Sequence, residues 1–169
     1  MIDLAKELRV MHACEKGAIG VYRGHKCVAR YFFRAKLEEL DCMRFHEREH
    51  SEIFARLLRE YGFRQCYLAF LWIYGGLFYG VFVGAFGLKA IGRSTATIED
   101  IVDREFDNSL KQIQQWPAVC DIVRAIQIEE REHKASGELF AGDTIEAKSI
   151  IVNIARAGAY AAKHLAETL

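Results

Sequence analysis

The tetrapeptide Glu47-Arg48-Glu49-His50 returns later in the chain as Glu130-Arg131-Glu132-His133. Around each copy the apolar residues recur every three or four positions, the spacing of a helix with one face in a core. The first stripe reads Leu37, Leu40, Met43, then Glu47 and His50, then Phe54, Leu57 and Tyr61. The second reads Val119, Ile122, Ile126, then Glu130 and His133, then Phe140. In both, a carboxylate and an imidazole three residues on replace hydrocarbon at the middle of the buried face.

Two further helical stretches carry one such interruption each. Leu4, Leu8, Met11, Glu15, Ala18 and Tyr22 form one stripe, and Thr95, Ile98, Glu99, Val102, Phe106 and Ile113 the other. An unpaired carboxylate costs several kcal/mol to bury, so four in one small core demand a cation. No Lys or Arg lies on these stripes. Two divalent ions carry the four positive charges needed. One Glu from each of two helices, and Glu-x-x-His from each of two more, is the donor set of ferritin-like di-metal bundles. The expected ligands are therefore Glu15, Glu47, His50, Glu99, Glu130 and His133. Carboxylate and imidazole donors suit two iron ions, with manganese as the alternative. Glu49, Glu52, Glu129, Glu132 and Glu138 fall beside the stripes and read as a solvated face. Asp103 and His12, each one turn from a ligand, are candidates to hold it in place, and His12 reads equally as a core histidine. Tyr22 and Tyr160 read as packing residues.

The rest of the chain agrees with an all-α fold, a four-helix bundle with two additional helices, in one domain over residues 1–169. A chain of 169 residues, 51% of them hydrophobic, can bury one real core. There is a single Pro, so long helices face few breaks. Helices are expected at about 3–31, 34–61, 66–91, 94–115 and 117–142. Ser94 would cap the fourth, and a sixth would open on the capping box Asp143-x-x-Glu146. Twenty-three basic and 23 acidic residues balance to zero, which leaves no basic excess for nucleic acid. Five Cys without a C-x-x-C pair are neither a disulfide framework nor a zinc site. With no signal-peptide pattern at its start, the chain is expected in a reducing compartment.

Residues 65–88 hold no charge and are rich in aromatics and Gly. A single span there would put the second and fourth helices on opposite sides of a membrane and tear the ligand set apart. A buried helix, or one half sunk in a lipid surface, keeps the set together. The expectation is peripheral membrane contact through the helix at 65–91. The run Arg23, Lys26, Arg30, Arg34 would suit anionic lipid, though a solvated face explains it as well.

These blocks resemble the demethoxyubiquinone hydroxylase family of coenzyme Q biosynthesis, over nearly the whole chain. R-V-M-H-A-C-E-K-G-A-I-G-V-Y-R-G-H (Arg9 to His25) is similar to the family's R-V-x-H-A-G-E-x-G-A-x-x-I-Y-x-G-Q. E-R-E-H at 47–50 is similar to its E-x-x-H, and T-A-T-I-E-D-I-V-D at 95–103 to its T-x-A-V-E-E-V-I-D. I-E-E-R-E-H-K-A-S-G at 128–137 is similar to its second E-x-x-H block. The resemblance implies the same six ligands and a ferritin-like bundle. It implies a di-iron monooxygenase that inserts oxygen from O₂ into a polyprenyl benzoquinone ring with electrons from NADH. A hydrophobic quinone would then be the substrate, and a homo-oligomer or a lipid-biosynthesis protein a possible partner. The location implied is peripheral, on the cytoplasmic face of a bacterial inner membrane or the matrix side of the mitochondrial inner membrane. The chain departs from the pattern at Glu105 and Phe106, where the family has His-Tyr, and at Cys14 and Ser109, where it has Gly and often Gln. The alternatives are a di-iron oxidase or peroxidase like rubrerythrin, an iron-binding or storage protein, and a non-catalytic scaffold. No rubredoxin-type Cys cluster supports the first of these.

Overall fold

The computed structural model describes residues 3–66, 68–142 and 149–168. These residues form six α-helices and no strand: α1 (Leu4–Phe32), α2 (Leu37–Glu60), α3 (Ala69–Gly84), α4 (Leu88–Gln112), α5 (Pro117–Ala141) and α6 (Ile150–Thr168). A 3₁₀ turn at Arg34–Lys36 joins α1 to α2. Asp3 caps α1 by accepting from the Lys6 amide at 3.1 Å. Pro117 opens α5 in the first turn, where its missing N–H costs nothing, and Gly142 closes it at φ 67°.

Two apolar clusters set the helix directions. One gathers Leu4, Leu8 and Met11 of α1, Phe54, Leu57 and Leu58 of α2, Phe106 of α4, and Val119, Val123 and Ile126 of α5. The other gathers Tyr22 and Ala29, Leu40 and Met43, Ile91, and Phe140 from the same four helices. Following each chain from cluster to cluster, α1 and α5 run one way and α2 and α4 the other. α2 therefore ends at the first cluster and α4 begins at the second, so the connection must travel the length of the bundle. One such long crossover is the ferritin-like arrangement. α3 makes the crossing, packed along α1, and α6 lies against α4 and α1. These are the two additional helices.

The helix at 66–91 and the start at Ser94 need correction. α3 ends at Gly84, and α4 already begins at Leu88, behind Gly87 at φ 99°, a backbone value helices do not hold. Gly92, between the two expected ranges, lies within α4. A Cβ there would meet the Ala141 amide nitrogen at 2.3 Å and the Gly137 carbonyl at 2.5 Å, so glycine permits the α4–α5 contact. Ser94 is buried mid-helix, with its Oγ 2.7 Å from the Tyr79 hydroxyl. The Asp143-x-x-Glu146 box lies outside the described residues. No helix among the described residues is long and apolar enough to cross a membrane.

Candidate metal centre

Each of the four bundle helices brings its interrupting residue to mid-height, between the two apolar clusters. Glu15, Glu47, His50, Glu99, Glu130 and His133 meet there, none more than 3% exposed. Their carboxylate oxygens and imidazole nitrogens form two groups. Single atoms of Glu15, Glu47, His50 and Glu130 all lie within 4.8 Å of one another, as do those of Glu47, Glu99, Glu130 and His133. Glu47 and Glu130 belong to both groups. The arrangement is two adjoining sites that share two carboxylates, each with one further Glu and one His of its own.

The imidazoles face inward through Nδ1. His50 Nδ1 lies 2.9 Å from Glu130 Oε1, and His133 Nδ1 lies 3.0 Å from Glu47 Oε1 and 3.1 Å from Glu130 Oε2. Tyr22 donates its hydroxyl to Glu99 Oε1 at 2.8 Å.

On their own, these side chains meet their charge with protons. Burial, then the Glu47 and Glu130 carboxylates, hold Glu15 well above the usual range. Burial, then Glu130 and Glu99, do the same to Glu47. Glu99 rises to about 8, through burial and then Glu130. For Glu130 burial is outweighed by the His133 and His50 N–H groups, and it falls to about 2. For His50 burial is outweighed by Glu130 and Glu15, and it rises to about 9.

The donor set fits a pair of divalent cations. Glu47 Oε1, His50 Nδ1 and Glu130 Oε1 are buried without a well-formed hydrogen bond, although Glu47 Oε1 stands close to His133 Nδ1 and His50 Nδ1 to Glu130 Oε1. Burying such atoms without a partner costs on the order of 1–3 kcal/mol each. Divalent cations would satisfy all three and balance the carboxylates.

Other sequence expectations divide. Glu49, Glu52, Glu132 and Glu138 are exposed, as expected. Glu129 is not merely solvated: its Oε2 lies 3.0 Å from His50 Nε2. Sequence reading also passed over His46, whose Nδ1 lies 3.1 Å from His133 Nε2. Their common place, one residue before the Glu of each motif, was the available signal. Asp103 does not reach Glu99 but accepts from Gln127 at 2.7 Å and Arg131 at 2.9 Å. His12 is buried with no hydrogen bond at either nitrogen, and burial, then Lys16 and Arg59, lower it to about 4. It is a neutral core histidine. Glu105 is ion-paired with Lys163 of α6, and Phe106 stacks at a tilt on Phe54, centroids 6.4 Å apart.

A cavity of about 550 Å³ joins this cluster to the outside. Glu15, Glu47, Glu99 and Glu130 stand at its inner end, and its walls come from α1, α3, α4 and α6. Val10, Ala18, Trp72, Tyr79, Ile98 and Ala159 make them largely apolar. Leu71 and Leu165 line the cavity and are also exposed, which sets its mouth between α3 and α6.

Fold and site together define a ferritin-like helical protein with a buried carboxylate–imidazole cluster reached by an apolar cavity. The sequence model described as Ubiquinone biosynthesis protein COQ7 matches residues 3–166, and the chain belongs to that family. Among curated proteins it is similar to the "NADPH-dependent 3-demethoxyubiquinone 3-hydroxylase, mitochondrial" of Mus musculus, 24% identical over 166 residues, covering 95% of this chain and 75% of the relative. The Rattus norvegicus protein of the same name is 23% identical over the same shares.

Proposed function

We propose that the chain is a di-iron monooxygenase that hydroxylates the ring of a polyprenyl benzoquinone in ubiquinone biosynthesis. The observation that carries this reading is the continuous apolar cavity ending on the shared carboxylates. A hydrophobic ring with a long tail needs both a dry end and an exit for the tail. Glu15, Glu47, His50, Glu99, Glu130 and His133 would hold two iron ions, with manganese as the alternative. Such ions, when bound, supply the reducing power and Lewis acidity that activate O₂. The chain's own residues do the rest. Glu47 and Glu130 tie the two positions together, and Tyr22 holds Glu99 by its hydroxyl. Trp72 and Ala18, on the cavity wall, would help to keep it dry. Electrons would come from a nicotinamide nucleotide: the resemblance suggested NADH, whereas the relatives' name specifies NADPH.

The membrane reading finds support on α3. Phe70, Leu71, Tyr74, Phe78 and Phe82 are exposed there, next to the mouth of the cavity. Tyr31 and Phe32 at the end of α1 are also exposed, 73% and 74%, close in sequence to exposed Arg30 and Arg34. Lys26 of the same cationic run is held by Asp41 instead. A helix lying on a bilayer in this way would feed a lipid-borne quinone into the bundle. The place would be the matrix side of the mitochondrial inner membrane or the cytoplasmic face of a bacterial one. A homo-oligomer or lipid-biosynthesis partner is compatible with this placement.

The test is expression in a ubiquinone-deficient strain that lacks this hydroxylase, with quinones profiled by mass spectrometry. The demethoxy precursor should fall and ubiquinone should return, and Glu47→Ala should prevent both. A precursor level untouched by the wild-type chain overturns the reading. The Glu105–Lys163 pair and the hydroxyl-free Phe106 favour one second reading, a metal-loaded scaffold without turnover. Full metal content with no oxygen consumption on a quinone substrate would select it.

A further inference from the structure

The two imidazoles are held from behind by the same device used twice. Glu129 on α5 reaches across to His50 on α2, with Oε2 3.0 Å from Nε2. His46 on α2 reaches back to His133 on α5, with Nδ1 3.1 Å from Nε2. Each of these residues directly precedes the Glu of its own motif and serves the His of the other. The two links are alike in position but unlike in chemistry: one is a carboxylate, the other an imidazole whose ring plane lies 13° from its partner's, centroids 5.3 Å apart.

We propose that Glu129 and His46 are positioning residues that fix His50 and His133 as Nδ1 ligands, and that their difference makes the two metal positions unequal, the one on His50 being the tighter. This rests on the di-metal reading above. An imidazole that offers its Nδ1 lone pair to a cation must carry its proton on Nε2, and that N–H needs an acceptor when buried. Glu129 accepts in any arrangement. His46 Nδ1 accepts only in the tautomer with hydrogen on Nε2, and that N–H then faces Cys42 Sγ at 3.6 Å. A carboxylate acceptor is a charge-assisted partner and raises the basicity of the ligand more than a neutral ring does. The cation beside Glu15 and His50 is therefore held harder than the one beside Glu99 and His133.

Cobalt(II) titration of the full chain tests this, read by equilibrium competition with a chelator and by proton NMR of the hyperfine-shifted, solvent-exchangeable imidazole N–H signals. Wild type should bind two cobalt ions in two resolvable steps and show two such signals. Glu129→Ala should remove one signal and weaken the tighter step by ~10–100-fold. His46→Ala should remove the other signal and weaken the other step. Glu129→Gln and His46→Gln each keep an acceptor and should keep their signal. Two ions bound with identical affinity overturn the inequality. Alanine variants that keep both signals and both affinities overturn the positioning role, as do Gln variants that lose as much as Ala. No cobalt bound by wild type is a different failure, since it removes the di-metal reading itself.

Discussion

The two sides of α1 are packed by opposite rules. Toward the bundle axis it presents Glu15 among other buried ionisable groups. Toward α3 it presents bare backbone. A Cβ on Gly20 would meet the Ile73 carbonyl at 2.2 Å, one on Gly76 the Gly17 carbonyl at 2.1 Å, and one on Gly80 the Val21 carbonyl at 2.1 Å. One side gathers ionisable groups; the other is closed so tightly that a methyl group has no place. The contrast teaches that α3 is locked to α1 by contact alone, while the bundle interior is organised around charge. The two sides should therefore fail separately.

The largest effect is expected on the charged side. Glu47→Ala removes a carboxylate common to both positions and should abolish binding of both ions, whereas Glu15→Ala should leave one ion per chain. Elemental analysis after dialysis distinguishes these, and one ion retained by Glu47→Ala would break the shared-carboxylate geometry. Metal-free Glu47→Gln should melt no lower than metal-free wild type, because the amide replaces a carboxyl that burial, then Glu130 and Glu99, already keeps protonated.

Next comes the glycine seam. Gly80→Val should cost about 1–3 kcal/mol or more through overpacking against backbone, seen as a lower Tm, with two metal ions still bound. Loss of metal together with stability would mean that the two sides are coupled after all.

The pH dependence of the metal-free protein sharpens the same contrast. Glu99, raised from 4.5 to about 8, favours the fold below pH 4.5 and loses that contribution as pH climbs through 8. His50, raised from 6.5 to about 9, contributes below 6.5 and loses it through 9. Both changes weaken the metal-free protein between pH 6.5 and 9. Metal binding displaces those protons and strengthens over the same interval. The gap in Tm between loaded and metal-free protein should widen from pH 6.5 to 9, and a constant gap would refute this charge balance. Gly80→Val should leave the widening intact.

The smallest effect is expected at Glu49, exposed beside the stripe. Glu49→Ala should change metal affinity by less than about 0.5 kcal/mol.

The buried hexad was legible because each member interrupts an apolar stripe at helical spacing, and that pattern needs no knowledge of the partner helix. The α3–α4 boundary was misread because a glycine stops a helix and admits a close neighbour with the same letter. Gly92 does the second, which becomes visible only with α5 in place. Glu129 and His46 were missed for a related reason. Each lies about 100° round its own helix from the stripe Glu, and only the facing helix gives that direction a meaning.

The bundle is built from two hairpins, α1 with α2 and α4 with α5, greased at both ends but joined at the waist by ionisable groups. If the waist holds iron as proposed, a cell starved of it would hold a polypeptide weakened there and more open to proteases than the loaded protein. Supply of the cation would set how long the protein survives as well as how fast it works. Hydrogen–deuterium exchange of the metal-free chain, fastest in the middle turns of the four bundle helices rather than at their ends, would be the mark of that weakness.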